Sequence, residues 1–268
     1  MTRIVRARQR RPRKLTLSPT KIGTYLACRL MYKLTYIDRL SQFYYRPKSY
    51  HSFGASLHRA LEEYHKLGGP QTQSAEQLVD KMHQVWVSAG YASEQEEREH
   101  LDWAAEFLQD YHTAHRVEGV RTVFTEKPLK LDMGEFNLMG RIDKVDEYPD
   151  GHLEVIDYKS GRLSVEEDEV RNDLAVGIYA YLARGTYPGR RITASIYCLR
   201  NGEKATVEFS DEEFTEVEEG VRAAASEIAQ IDQDSEIEPV WLENVCPECD
   251  YLRLCARRAG WNASCAEC

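Results

Sequence analysis

A hairpin pattern near the middle of the chain is the feature that most restricts its fold. Residues 140–159 read GRIDKVDEYPDGHLEVIDYK, in which two stretches rich in valine and isoleucine flank a Pro-Asp-Gly turn. A hairpin centred on Asp150 pairs residues whose numbers sum to 300. This register gives three opposed pairs on one face of the sheet: Val145 with Val155, Asp143 with Asp157, and Arg141 with Lys159.

The two opposed aspartates predict a metal site. Directly opposed side chains have Cβ atoms about 4.5–5.5 Å apart, and like charges at that distance destabilise a sheet unless a positive charge lies between them. Mg²⁺ or Mn²⁺ meets this need because it binds carboxylate oxygens and keeps water for a phosphate substrate. Lys159 lies on the same face, where its ammonium group can orient or help to deprotonate an attacking water. The alternative is a surface hairpin with ordinary salt bridges, but the apolar strand around Asp157 favours a functional site.

The rest of the chain predicts an α/β fold around this hairpin. Ser18-Pro19 marks the start of a helix that is predicted to include Cys28. Residues 54–67 form a second predicted helix that ends at Gly68-Gly69-Pro70. The charged stretch from about 73 to 117 has helical spacing and is interpreted as a helical insert, about residues 70–120. The remaining predicted elements are strands 121–131, 135–147, 152–159, 191–200 and 203–209, and helices 168–184 and 211–231. This order predicts a mixed β-sheet flanked by helices.

Charge is distributed unevenly along the chain. The net charge is −9, yet residues 1–14 carry seven arginines and lysines and no acid, which leaves 28 of the 35 basic residues against all 44 acidic ones. We interpret residues 1–14 as a basic, flexible arm that can lie on a phosphate backbone. The alternative is a disordered solubilising tail or a cloning remnant.

The compartment predicted from the sequence is the cytoplasm. The longest apolar run, residues 174–183, is shorter than the roughly 20 residues that span a bilayer and fits a buried helix. The basic N-terminus has no apolar segment behind it, so we expect neither a signal peptide nor a membrane association.

Seven cysteines in a cytoplasmic protein indicate metal binding or reactive thiols rather than disulfides. Five of them lie in the last 23 residues, where Cys246, Cys249 and Cys255 form a C-x₂-C-x₅-C pattern that needs a fourth ligand. Cys265 and Cys268 form another pair, interpreted as part of a frayed tail or as alternate ligands. The alternative for the whole set is buried, inert cysteines.

The hairpin motifs resemble the paired core motifs of the PD-(D/E)XK nuclease superfamily, specifically its RecB/Cas4 branch. They are GRID, which ends at Asp143, and VIDYKSG, which contains Asp157 and Lys159. The family's upstream Gly-x-x-x-His-x-x-Leu-Glu helix is matched by residues 54–62, with His58 as the histidine. The resemblance implies a restriction-endonuclease-like sheet. It also implies catalytic roles for His58, Asp143, Asp157 and Lys159, and metal ligation by His58, Asp143, Asp157 and the Tyr158 carbonyl.

One family motif is incomplete. A Gln-x-x-x-Tyr pair is expected on the helix after the lysine strand, and this chain has Ala175 and Tyr179 at those positions. The resemblance gives Tyr179 a catalytic role, although a core aromatic is an equal alternative. The missing glutamine leaves the metal ligands intact and affects how the DNA backbone or the lysine is positioned.

The cysteines also resemble those of AddB/Cas4 iron–sulfur nucleases, which draw one ligand from the N-terminal side and three from the C-terminal tail. By this resemblance Cys28, Cys246, Cys249 and Cys255 hold a [4Fe–4S] cluster; the same four thiolates also suit a structural zinc. The resulting organisation is a nuclease domain over residues 15–245 and a cysteine segment over residues 246–268 that closes onto Cys28.

The expected function is therefore a Mg²⁺- or Mn²⁺-dependent DNA exonuclease, active on single strands in DNA repair, recombination or CRISPR adaptation. Its expected partners are DNA and recombination or CRISPR adaptation proteins, and the oligomeric state is left open. The alternatives are a Cas4-type subunit that cleaves only with partners, a catalytically weak DNA-binding protein, and a zinc-stapled interaction module without a DNA role.

Overall fold

The computed structural model describes residues 14–261, so most of the predicted basic arm and the Cys265/Cys268 pair lie outside the described residues. The strands are β1 Leu15–Leu17, β2 Arg121–Asp132, β3 Phe136–Glu147, β4 Leu153–Lys159, β5 Ile192–Cys198 and β6 Lys204–Glu208. The helices are α1 Pro19–Ala27, α2 Arg29–Tyr32, α3 Ser41–Tyr44, α4 Ser49–Lys66, α5 Ala75–Val85, α6 Glu94–Ala114, α7 Glu167–Asn172, α8 Leu174–Thr186, α9 Asp211–Ile228 and α10 Leu252–Ala259. The α/β fold with a mixed sheet flanked by helices is confirmed.

Strand β3 organises the six-stranded sheet. The strand order is β1-β3-β4-β5-β6, with β2 paired antiparallel along the other edge of β3. The first edge of β3 is shared between two strands: β1 pairs in parallel with residues 136–138, and β4 pairs antiparallel with residues 144–147. Between these two ladders, residues 139–143 have no strand partner on that edge within residues 14–261. The sheet is therefore open at Asp143.

The register predicted for the β3–β4 hairpin is confirmed, since Val145 lies opposite Val155. In the described chain the ladder ends at the pair Lys144–Ile156. Beyond it β4 continues beside β5 as far as Lys159. Strands β3 and β4 separate directly after the Lys144–Ile156 pair, so the expected pairs Asp143–Asp157 and Arg141–Lys159 were wrong. The Asp143 carboxylate instead accepts the Tyr158 N–H, and the Arg141 guanidinium turns to Glu126 on β2.

Two apolar cores lie on the two faces of the sheet. One core joins the sheet to α1, α8 and α9, and the other joins it to α4, α5 and α6, of which α5 and α6 fall within the stretch interpreted as a helical insert. Ser74 and Ser93 cap α5 and α6 by accepting backbone N–H bonds, as expected for helix starts. The sheet and its hairpin are thus held from both sides.

Two predicted helices are interrupted, each at a residue whose side chain caps the next helix. The helix predicted over residues 168–184 breaks at Asp173, which accepts N–H bonds from Ala175 and Val176 and starts α8. Cys28, expected on the first helix, is extended (φ −162°, ψ 115°) and its Sγ accepts the Met31 N–H at 3.4 Å. Within the described residues no helix is both long and apolar enough to cross a bilayer.

The close approach of α8 to β3 generates a stability prediction. A Cβ atom on Gly140 would lie 2.7 Å from Leu182 Cδ1 and 2.8 Å from Tyr179 Cδ1, so Gly140→Ala must push α8 outward. We expect it to lower the free energy of unfolding by about 1–3 kcal/mol, measured by urea denaturation. Gly220→Ala on α9 is the matched control, because no atom lies within 4 Å of its added Cβ. We expect the control to be stabilising by about 0.5–1 kcal/mol. Equal stability of the two variants would contradict this packing.

Candidate metal centre and cysteine cluster

His58, Glu126 and Asp143 bring one potential ligand atom each to within 4.8 Å of one another. They come from three elements, α4, β2 and β3. The His58 Nδ1 lies 3.3 Å from Asp143 Oδ1 and 3.4 Å from Glu126 Oε1. Burial alone lowers the pKa of His58, but hydrogen bonds to Asp143 and Glu126 outweigh burial and raise this pKa to about 10. A cation is therefore strongly favoured between these two carboxylates.

Glu126 is a site residue that the sequence reasoning missed. Thr125 pairs with Lys144 and Lys127 pairs with Ile142, which puts Glu126 opposite Asp143. Glu126 has a left-handed backbone (φ 48°), which is uncommon for a residue with a side chain and is often found at functional sites. The predicted strands 121–131 and 135–147 pair residues whose numbers sum to 266, whereas the observed pairs sum to 269. Counting outward from the predicted turn therefore does not find this pair.

Asp157 and Lys159 lie beside these three groups, at the carboxyl end of β4. The Lys159 Nζ is 2.8 Å from Asp157 Oδ2 and 3.6 Å from Asp173 Oδ2. Burial raises the pKa of Asp157 to about 7, and the charge of nearby Asp143 adds to this effect while Lys159 opposes it. Burial by itself lowers the pKa of Lys159, but the charge of Asp157 raises it overall. The lysine is thus held as a cation between two carboxylates.

The peptide groups of Tyr158 connect the aspartates to the histidine. Its N–H donates to Asp143 Oδ2 at 2.8 Å, and its carbonyl oxygen lies 3.2 Å from His58 Nε2. The Tyr158 side chain points to the other face of the sheet, where its hydroxyl lies 2.5 Å from that of Tyr111 on α6. The Tyr111 hydroxyl also lies 2.8 Å from His65 Nε2 on α4. This buried hydrogen-bonded group fixes the backbone on which the predicted ligands depend.

Tyr179 lies on α8 at the opposite wall of the site. It is half-buried, and burial raises its pKa, with further contributions from the charges of Asp157, Asp143 and Glu126. Tyr179 also packs against the core beneath the sheet. It therefore lies both at the site and at the edge of the core, and Ala175 is one helical turn before it.

The donor set at this point fits a divalent cation. Two carboxylates and one imidazole converge, with the Tyr158 carbonyl beside the imidazole and the Asp157 carboxylate close enough for its charge to interact with Asp143. Oxygen-rich sets of this kind suit Mg²⁺ or Mn²⁺. Within the described chain, the positive groups against the acids are His58, Lys159 and Arg141, whose Nε lies 2.6 Å from Glu126 Oε2. A bound cation would add the positive charge that three carboxylates in a partly buried site require.

Cys28, Cys249 and Cys255 pack against one small core beside α2, and Cys246 is near enough for its charge to act on Cys255. Within the described residues, no three of these sulfur atoms lie within 4.8 Å of one another. Burial raises the pKa of the Cys255 thiol to about 11, and the nearby Cys249, Cys28 and Cys246 thiols add to the shift. Backbone N–H groups of Met31 and Leu242 donate to the sulfurs of Cys28 and Cys246 at 3.4 and 3.3 Å. Such a group can ligate a metal or a cluster, because a positive centre would stabilise the four thiolates together. Cys198 is buried on β5, away from this group.

The chain is similar to known proteins in sequence. A sequence family described as the PD-(D/E)XK nuclease superfamily matches residues 16–256. The chain is 25% identical over 201 residues to a subunit of the ATP-dependent helicase/deoxyribonuclease of Carboxydothermus hydrogenoformans, covering 62% of this chain and 18% of that protein. The chain therefore spans less than a fifth of this curated relative.

A solved structure shows the same fold. It is the crystal structure of a Eubacterium rectale protein provisionally named an exonuclease, with a TM-score of 0.51 and 12% identity. The match covers 89% of this chain and 87% of that one, so it includes the sheet and its flanking helices.

The geometry around Glu126 generates a metal-binding prediction. We expect Glu126→Gln to weaken Mn²⁺ binding at least about tenfold in isothermal titration calorimetry, because the variant loses a charged oxygen ligand. Glu135→Gln is the matched control, since Glu135 is exposed at the β2–β3 turn. Equal Mn²⁺ affinity of the two variants would place Glu126 outside the metal centre.

Proposed function

The chain belongs to the PD-(D/E)XK nuclease superfamily, and from this premise we propose that it is a Mg²⁺- or Mn²⁺-dependent DNA exonuclease that prefers single strands. The observation that carries the proposal is the convergence of His58, Glu126 and Asp143 with Asp157 and Lys159 at the point where β3 and β4 separate. This arrangement joins metal-binding oxygens to a cationic side chain, as hydrolysis of a phosphodiester requires.

In this proposal His58, Asp143, Asp157 and the Tyr158 carbonyl hold the metal, and Glu126 is an additional ligand. The bound ion would supply Lewis acidity toward the phosphate and lower the pKa of a bound water. Lys159 orients the attacking water and balances negative charge that develops on the phosphate. Asp157 and Asp173 hold its ammonium group in place. Tyr179 lines the wall opposite His58, where it can position the DNA backbone.

The curated relative guides the proposal for partners. That protein is named as a subunit of an ATP-dependent helicase/deoxyribonuclease, and this chain matches less than a fifth of it. We therefore place this chain in DNA repair or recombination, acting on DNA with a DNA-unwinding partner, in preference to CRISPR adaptation. Since the Asp143, Asp157 and Lys159 set is intact, the proposal favours an active nuclease over a silent DNA-binding protein.

We further propose that Cys28, Cys246, Cys249 and Cys255 hold a [4Fe–4S] cluster, with structural zinc as the alternative metal. The grouping of the four thiols and the two N–H donors to sulfur support this proposal. Cys28 and Cys246 are 218 positions apart. A cross-link that closes so long a loop restricts the unfolded chain, by roughly 4–5 kcal/mol in the chain-entropy model. Its role is then to join residues 246–255 to the start of the domain.

The nuclease proposal predicts metal-dependent cleavage of DNA. We expect end-labelled single-stranded DNA to be degraded with Mg²⁺ or Mn²⁺ and not with EDTA. Asp157→Ala with Lys159→Ala should reduce the rate at least about a hundredfold, because both metal binding and charge balance are lost. Lys130→Ala with Asp234→Ala is the control, since both residues are exposed. Absence of cleavage by a protein that binds Mn²⁺ normally would contradict an autonomous nuclease.

The cluster proposal predicts that Cys28 links the two ends of the domain. Cys28→Ser keeps an acceptor for the Met31 N–H, so it separates loss of ligation from loss of the helix cap. We expect this variant, purified anaerobically, to lose bound iron and to lose up to about 4 kcal/mol of unfolding free energy. Cys198→Ala should retain the iron. Full stability in Cys28→Ser would contradict a cluster that links the two ends of the domain. Zinc in place of iron in the wild-type protein would select the alternative metal.

A further inference from the structure

The segment that leads into the His58 helix differs in charge from the rest of the chain. From Arg39 to Leu61 there is no aspartate or glutamate, although the chain has 44 of them. The same segment contains Arg39, Arg46, Lys48 and Arg59. The protein as a whole is acidic, but residues 39–61 contribute no negative side chain to the surface. They therefore do not repel a polyanion such as DNA.

Three large aromatic side chains are exposed in this segment. Phe43 is 73% exposed, Tyr45 59% and Tyr50 51%. We call these three residues the ring patch. Tyr44 between them does not share this exposure, because it packs on Tyr251 with ring centroids 5.5 Å apart. Aromatic rings left in water beside basic residues are a typical platform for unpaired bases, since every base has a face that can stack.

The ring patch lies next to the metal centre along α4. Tyr50 and His51 are in the first turn of this helix, and Gly54 and His58 follow at intervals that keep His51, Gly54 and His58 on one face. Tyr50 is eight residues before His58, about 12 Å along the helix axis. Gly54 allows Ser160 to approach closely, since an added Cβ would lie 2.7 Å from Ser160 Oγ. Gly54 is buried by this contact, which places the start of α4 beside the end of the strand that carries Asp157 and Lys159. A single strand held on the ring patch therefore lies about 12 Å along α4 from His58.

The ring patch is also held against the cysteine segment. The Lys48 Nζ donates to the backbone oxygen and to Oε2 of Glu248, both at 2.7 Å. The same ammonium group lies 5.6 Å from the centroid of the Tyr50 ring. The position of Tyr50 thus depends on residues 246–249, which the proposed cluster would fix.

We propose that Phe43, Tyr45 and Tyr50 stack on successive bases of single-stranded DNA, and that Arg46 and His51 contact its phosphates. The proposal rests on the proposed nuclease function and names the DNA track that serves the same site. Stacking supplies affinity that does not depend on charge, which an acidic protein needs in order to hold a polyanion. Bases in a duplex are already stacked on each other, so this surface selects single strands.

The test measures the binding of fluorescein-labelled dT₂₀ to the full chain by fluorescence anisotropy. EDTA is present throughout, so that binding is separated from metal-dependent cleavage. The first variant is Phe43→Leu with Tyr45→Leu and Tyr50→Leu, which keeps apolar side chains and removes the rings. The second is Tyr45→Phe with Tyr50→Phe, which keeps the rings. Leu67→Ala is the control, because Leu67 is 52% exposed beyond the other end of α4. Melting temperatures verify that each variant is folded.

We expect the triple leucine variant to weaken dT₂₀ binding at least about tenfold and the phenylalanine variant to stay within twofold of the wild type. Arg46→Ala should reduce the slope of log affinity against log salt by about 0.7, as for one phosphate contact on a single strand. Tenfold weaker binding would support the ring patch even if the wild type proved unable to cleave DNA. Unchanged binding by a folded triple leucine variant would overturn it, even if the wild type cleaves DNA.

Discussion

The concentration of negative charge at the open point of the sheet is the constraint on which the structure depends. Glu126, Asp143 and Asp157 come from three adjacent strands and have little access to water. Glu126 and Asp143 meet at His58, and Asp157 lies beside them. Such an arrangement is unstable unless cations lie among the carboxylates. Without a metal ion, His58 and Lys159 supply part of that positive charge. The pKa of His58 is raised because Asp143 and Glu126 stabilise the protonated imidazole. A bound divalent cation would take over this role and would be available for phosphodiester hydrolysis.

The remaining elements of the fold position these groups. One edge of β3 pairs first with β1 and then with β4, and Asp143 lies in the gap between these two ladders. There its side-chain carboxylate accepts the backbone N–H of Tyr158. On one face α8 packs closely at Gly140 and carries Tyr179 to the site. On the other face α4 carries His58, and the buried Tyr111–Tyr158 contact ties the insert helices to the ligand backbone. Catalytic geometry and core packing are therefore coupled.

Much of this arrangement follows from the sequence, and the exceptions have physical causes. Strand alternation and a Pro-Asp-Gly turn were enough to predict the Val145–Val155 register and to bring Asp143 and Asp157 together. Where β3 and β4 separate could not be predicted from the hairpin pattern. Pairing with β3 ends at Ile156, whereas β4 continues along its other edge beside β5 as far as Lys159. The break at Cys28 was missed since a cysteine is not an expected helix cap. Glu126 was missed because the turn between β2 and β3 is centred further along the chain than the sequence predicted, which shifts the pairing register.

The most direct measurement of the central claim is a crystal structure of the protein soaked in Mn²⁺, with anomalous data collected at the manganese absorption edge. We expect an anomalous peak at the gap between β3 and β4, with oxygen or nitrogen atoms of His58, Glu126, Asp143 and Asp157 within roughly 2.0–2.3 Å of it. In that structure the His58 imidazole should no longer hydrogen-bond to both carboxylates. A His58 side chain that remains between Glu126 and Asp143 with no anomalous peak nearby would contradict a metal centre at this gap.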